Sequence, residues 1–230
     1  MPHSLTLELP APGAQADDLG NDLPLRGVTV LAVEDSRFAS DALRLICRRL
    51  GARLRRADSL MTAVSHLKLY RPDVVIVDLG LPDGRGEGLI QDMAKRRPKP
   101  VVLGMSGDAG GRVSAMAAGA DGFLDKPLES VAALRDMMLR HLPERACGGP
   151  LGPEAVLVPD VLALRDDLAH AAALLEAGTG EGGAYVAGFV RGVARHARDR
   201  VLAEAAGLEE IRALLKERLT GPDHAFDVTG

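Results

Sequence analysis

Five times between Val28 and Leu142 a short run of strand-forming residues gives way to a stretch with helical spacing, and few folds accommodate that rhythm. The strand candidates are Val28 to Val33, Arg53 to Ala57, Val74 to Asp78, Val101 to Met105 and Asp121 to Leu124. Helical periods fall at about 37 to 50, 60 to 70, 86 to 96, 110 to 119 and 128 to 141. Strands that alternate with helices pair in parallel, because each helix carries the chain back across the sheet, and right-handed crossovers leave few topologies. The expected fold is therefore α/β, a doubly wound five-stranded parallel sheet covered on both faces. In such a sheet the carboxyl ends of the strands share one edge, where ligands bind.

That edge gathers charge. Asp78 closes the apolar run Val74-Val75-Ile76-Val77 and opens the turn Leu79-Gly80-Leu81-Pro82-Asp83-Gly84. The first strand runs into Glu34-Asp35, and Phe123-Leu124-Asp125 runs into Lys126-Pro127. Three carboxylates and one ammonium would thus surround a small pocket, with Ser106 at the end of a neighbouring strand. Asp83, Asp108 and Asp125 read instead as solvated turns or helix caps.

Outside this region the chain changes character. Residues 1 to 26 carry Pro2, Pro10, Pro12 and Gly13 with little periodicity and read as a mobile tail. Pro143, Gly148-Gly149-Pro150 and Gly152-Pro153 mark a linker over 143–158. From 159 to 220 the chain is rich in Ala and Leu with helical spacing, which predicts a small all-α C-terminal domain before a tail at 221–230. Its helices are expected at Val161 to Glu176, Tyr185 to Ala206 and Leu208 to Leu219, with Gly178 to Gly183 breaking the first pair. About 60 residues make a marginal core unless they pack on the first domain or pair with a second copy, so a homodimer is one expectation. The two cysteines, Cys47 and Cys147, lie in different segments and suggest neither a disulfide nor a metal site. Basic and acidic side chains number 28 and 32, for a formal net charge of -4, and no signal peptide or membrane-length apolar run is visible. A cytoplasmic location is expected.

From Arg26 to Leu142 the residues resemble the receiver domain of two-component response regulators, of the chemotaxis-regulator type. The likeness rests on Glu34-Asp35, on Asp78 followed by Gly80 and Pro82, on Ser106 after an apolar strand, on Phe123, and on Lys126-Pro127. The resemblance implies a flavodoxin-like (βα)5 fold and a phosphoryl group accepted by Asp78 from a sensor histidine kinase or phosphotransfer protein. It implies Mg2+ held by Glu34, Asp35, Asp78 and the backbone carbonyl of Gly80, a demand that hard oxygen ligands meet. Lys126 would act as a point charge on the phosphoryl group, Ser106 would donate to another of its oxygens, and Phe123 would stand at the switch position. A cis Lys126-Pro127 bond is also implied. Glu34 stands where aspartate is frequent. Glycines in Gly107-Asp108-Ala109-Gly110-Gly111 make rearrangement of that loop easy, so output is expected through residues 107–141. Such a protein is a signalling switch rather than an enzyme in the ordinary sense.

The C-terminal segment is less specific. From residue 151 onward 8 basic residues face 13 acidic ones, a net of -5, which disfavours nucleic acid as a partner and a transcription-factor reading. Arg191, Arg195 and Arg198 share one helical face, read as solvated. His170 and His196 raise the alternative of a phosphorelay protein whose helical domain takes part in transfer, although neither lies in the usual transfer motif. A degenerate receiver acting as a constitutive binding module is a further alternative. The favoured reading is a helical domain for contacts with a downstream protein.

Overall fold

The computed structural model describes residues 23–128, 130–142, 160–177 and 183–220. The C-terminal tail, the linker, Cys147, most of the Gly178 to Gly183 break and the expected N-terminal tail up to residue 22 lie outside the described residues. The tail expected over 1–26 ends sooner than its breakers suggested, because Leu25 is fully buried in the core and its N–H donates to the Leu50 carbonyl at 2.8 Å.

The first unit is the parallel sheet. Its strands are β1 (Thr29–Val33), β2 (Arg53–Ala57), β3 (Val74–Asp78), β6 (Val101–Ser106) and β7 (Gly122–Asp125), in the spatial order β2-β1-β3-β6-β7. A two-stranded hairpin of β4 (Gly80–Leu81) and β5 (Gly84–Arg85), which the sequence pattern did not reveal, follows β3. Successive side chains of a strand point to opposite faces, and the core divides accordingly. Val30, Ala32, Val74, Ile76, Leu103 and Met105 pack with α1 (Arg37–Leu50) and α5 (Val131–His141). Leu31, Val33, Val75, Val77, Val102 and Phe123 face α2 (Leu60–Leu69), α3 (Gly86–Ala94) and α4 (Gly111–Ala117). Because β3 is central and covered on both sides, its sequence is apolar throughout until Asp78. The order reverses between β1 and β3, so the crevice of the sheet opens where Glu34, Asp35 and Asp78 emerge.

The second unit consists of α6 (Val161–Glu176), α7 (Gly183–His196), α8 (Arg200–Glu204) and α9 (Leu208–Thr220). The single helix expected from Tyr185 to Ala206 is two helices. Arg198 takes a left-handed φ of 58°, and Asp199 caps α8 by accepting from the Leu202 N–H at 3.1 Å. Arg218 of α9 holds the same carboxylate at 2.8 Å, so the break is fixed from a distant element. Apolar spacing continues across the break, which is why periodicity alone missed it.

These helices do not stand apart. Phe38, on the first turn of α1, is 3 % exposed and belongs to the core of the helical unit together with Leu164, Leu168, Val190 and Val193. Asp167 of α6 accepts from Ser36 Oγ at 2.8 Å and from the Arg37 and Phe38 N–H groups, each at 3.0 Å. A carboxylate at a helix N-terminus satisfies donors that have no partner within the helix. Packing on the sheet unit thus supplies what a core of this size lacks by itself.

Candidate functional site

Each residue of the site sits where a buried strand ends. Lys126 Nζ lies 2.6 Å from Glu34 Oε2 and 2.7 Å from Asp78 Oδ2, bridging two carboxylates from neighbouring strands. Glu34, Asp35 and Asp78 each bring an oxygen within 4.8 Å of the others. Ser106 ends β6 beside them, with its Oγ accepting from the Asp108 N–H at 3.1 Å. The Lys126–Pro127 bond is cis, as is Arg97–Pro98. Gly80 reaches the site with its N–H, which donates to Asp78 Oδ1 at 3.2 Å. Arg56, from β2, donates to the Glu34 and Asp35 carbonyls and fixes the acidic turn from below.

Electrostatically the pocket holds more negative charge than its own cation offsets. Burial raises the Asp35 carboxyl to about 8, and Glu34 and Asp78 push the same way against a hydrogen bond from Tyr185. Burial likewise raises Asp78 to about 6, with Lys126 opposing it. Burial alone would lower Lys126, but Asp78 and Glu34 hold its ammonium well above the ordinary lysine range. Three crowded carboxylates and one ammonium leave room, in charge, for a divalent cation, and their hard oxygen atoms are the donor set magnesium takes. The residues therefore fit the metal.

Phe123 is buried, with the Arg112 guanidinium 5.1 Å above its ring and Gly104 and Gly111 close against it. Arg112 also pairs with Asp125 at 2.6 Å. Asp83 caps α2 by accepting from the Leu60 and Met61 N–H groups at 2.8 and 2.9 Å, in keeping with its reading as a cap. The arginines expected on one solvated face diverge: Arg191 donates to the Ala205 carbonyl and Arg195 to the Gly107 carbonyl. His170 is exposed. His196 is buried against the Phe38 ring, and its Nε2 has no hydrogen-bond partner.

Three residues at the site escaped the sequence reading. Tyr185 Oη donates to Asp35 Oδ2 at 2.6 Å, Arg195 Nη1 donates to the Gly107 carbonyl at 2.8 Å, and Asp167 caps α1. All come from the helical unit. Nothing in their own neighbourhoods marks them, because what they touch lies 88 to 150 residues away in sequence.

A doubly wound parallel sheet whose strand ends gather an acidic triad and one lysine defines an α/β domain with a cation-ready acidic crevice, and the family comparison places it further. The response regulator receiver domain model matches residues 30–138, and this stretch is a receiver domain. The KDP operon transcriptional regulatory protein KdpE of Escherichia coli K12 is 36 % identical over 116 residues, spanning 49 % of this chain and 52 % of that protein. The aerobic respiration control sensor protein ArcB of the same organism is 31 % identical over 144 residues, which are 59 % of this chain but only 18 % of ArcB. The solved receiver domain of a histidine kinase from Syntrophus aciditrophicus shares 26 % identity and covers 51 % of this chain and 92 % of that one, with a TM-score of 0.47. The chain thus spans about half the length of KdpE and much less of ArcB. Among the described residues, no helix is long and apolar enough to cross a membrane.

Proposed function

We propose that this chain is a phosphorylated response regulator in which Asp78 accepts a phosphoryl group from a histidine kinase or phosphotransfer protein. The observation that carries this reading is the Lys126 ammonium seated between Glu34 and Asp78 at the switch point of the sheet. An Asp78 oxygen attacks phosphorus, the bond from phosphorus to the donor nitrogen breaks, and the donor imidazole leaves neutral once it is protonated. Lys126 then exchanges part of its contact with Asp78 for a phosphoryl oxygen, and the Ser106 hydroxyl donates to another. Glu34, Asp35, Asp78 and the Gly80 carbonyl would hold Mg2+, which supplies the positive charge that lets two anions meet. The new charge biases the loop after Ser106, and the signal leaves through residues 107–141. Val113 and Met116 of α4 are 73 % and 47 % exposed there, which suits a protein partner.

The helical unit acts as a protein-interaction module. A histidine that trades phosphoryl groups between proteins must meet them, so the burial of His196 counts against that residue as a transfer site. For the exposed His170, the missing transfer motif around it supports the interaction reading. KdpE is named as a transcriptional regulator, but its likeness covers only 49 % of this chain. Incubating the protein with Mg2+ and acetyl phosphate should give a phosphoryl adduct located at Asp78 by mass spectrometry and absent from Asp78→Asn. An adduct elsewhere, or none, refutes the assignment.

A further inference from the structure

The crevice that should receive a cation and a phosphoryl donor is covered by the chain itself. Helix α7 lies across it from end to end. At one end Tyr185 donates to Asp35 Oδ2 at 2.6 Å, and at the other Arg195 donates to the Gly107 carbonyl at 2.8 Å, with Asp108 3.7 Å from the same guanidinium. Between these ends α7 packs beside the β4 turn that carries Gly80. The pocket beneath is closed: the side chains of Asp78 and Lys126 are 9 % and 6 % exposed. A donor must bring phosphorus to about 3 Å from an Asp78 oxygen, so a side chain this buried has to be uncovered before it can react.

We propose that α7 is a built-in competitor for the acidic pocket, so that docking of the helical unit and loading of the pocket with a divalent cation and a phosphoryl group oppose one another. The proposal rests on the reading of that pocket given above. Tyr185 spends its hydroxyl proton on an oxygen of a proposed cation ligand, and a cation drawing on Asp35 must displace that hydrogen bond. Arg195 ties down the glycine-rich loop that would have to shift toward a phosphoryl group. Each contact therefore belongs to the closed state and is lost when the pocket is loaded. Linkage makes the effect reciprocal: whatever the lid costs the cation in affinity, the cation costs the lid in stability. Opening frees Tyr185 and Arg195 from Asp35 and Gly107, so one event both exposes Asp78 and uncovers a surface for a partner.

The experiment measures Mg2+ binding by calorimetry on the full chain and on Tyr185→Phe and Arg195→Ala, neither of which removes a group proposed to bind the cation. Loss of one hydrogen bond from the closed state should tighten Mg2+ binding about tenfold and raise the rate of acetyl phosphate labelling by a similar factor. If all three proteins bind Mg2+ alike, or the variants bind it more weakly, the competition is refuted while the cation site stands. If none of them binds Mg2+, the cation reading fails and the competition with it. On the unaltered chain, Mg2+ with beryllofluoride should speed hydrogen exchange across residues 183–196, and unchanged protection there refutes the proposal whether or not the variants fold.

Discussion

His196 shows how one buried side chain couples the two units to pH. Burial first and then the Lys126 ammonium lower it, the Gly192 carbonyl and Asp78 oppose them, and the group falls from 6.5 to about 4, so the folded protein keeps the ring neutral. The unfolded chain takes up a proton near 6.5 and the folded one only near 4, so the stability from this group is whole above 6.5 and drains away as pH falls toward 4. The shift corresponds to about 3 kcal/mol. Asp35 and Asp78 have raised values and push the opposite way, so the informative quantity is a difference between proteins. Urea titrations of the unaltered chain and of His196→Leu should diverge by about that amount between pH 7 and pH 4, with the variant flatter. At this scale the acidic pocket was legible, because Glu34, Asp35, Asp78 and Lys126 each end an apolar strand and declare themselves locally. Tyr185 was not, since its one defining partner is 150 residues away.

The turn from β3 into α3 is where backbone geometry, rather than charge, holds Asp78 in place. A Cβ at Gly86 would overlap the Asp78 carbonyl oxygen and stand 2.8 Å from Val77 Cγ1, so only glycine lets α3 start this close to the strand. Gly88, two residues further along the same helix, has nothing within 4 Å of the same position. The pair makes an internal control. Gly86→Ala should cost about 2 kcal/mol in chemical denaturation and slow phosphorylation, by overpacking against backbone that cannot yield. Gly88→Ala should be stabilising by up to about 1 kcal/mol, the ordinary propensity gain in a helix. Strand positions were readable here because burial on both faces forces unbroken apolar runs, as in Val74 to Val77. The β4–β5 hairpin, two residues a side, and the α7–α8 break at Arg198 were not. The first is too short for a period, and the second is imposed by Arg218 gripping Asp199.

For the molecule as a whole, the question is whether receiver and helical unit melt together. Phe38 is the receiver residue in the core of the helical unit, its ring edge-on to His196 at a centroid distance of 6.4 Å. Around it the Asp167 cap on α1 and the Arg37–Asp166 pair at 2.6 Å add polar contacts, of which the exposed pair contributes little. Removing a fully packed aromatic typically costs 3 kcal/mol or more, part transfer and part cavity. In Phe38→Ala that loss falls on the junction and leaves the two clusters flanking the sheet untouched. Calorimetry should therefore show one unfolding transition for the unaltered chain and two for the variant, the earlier one from the helical unit, whose few helices bury too little alone. The same variant should label faster with acetyl phosphate, since weakening the junction favours the open lid. A single transition in Phe38→Ala, merely shifted down in temperature, would mean that the contacts of Tyr185, Arg195 and Asp167 hold the units together without the aromatic. The junction would then be polar in origin, and salt rather than a cavity should separate the two transitions.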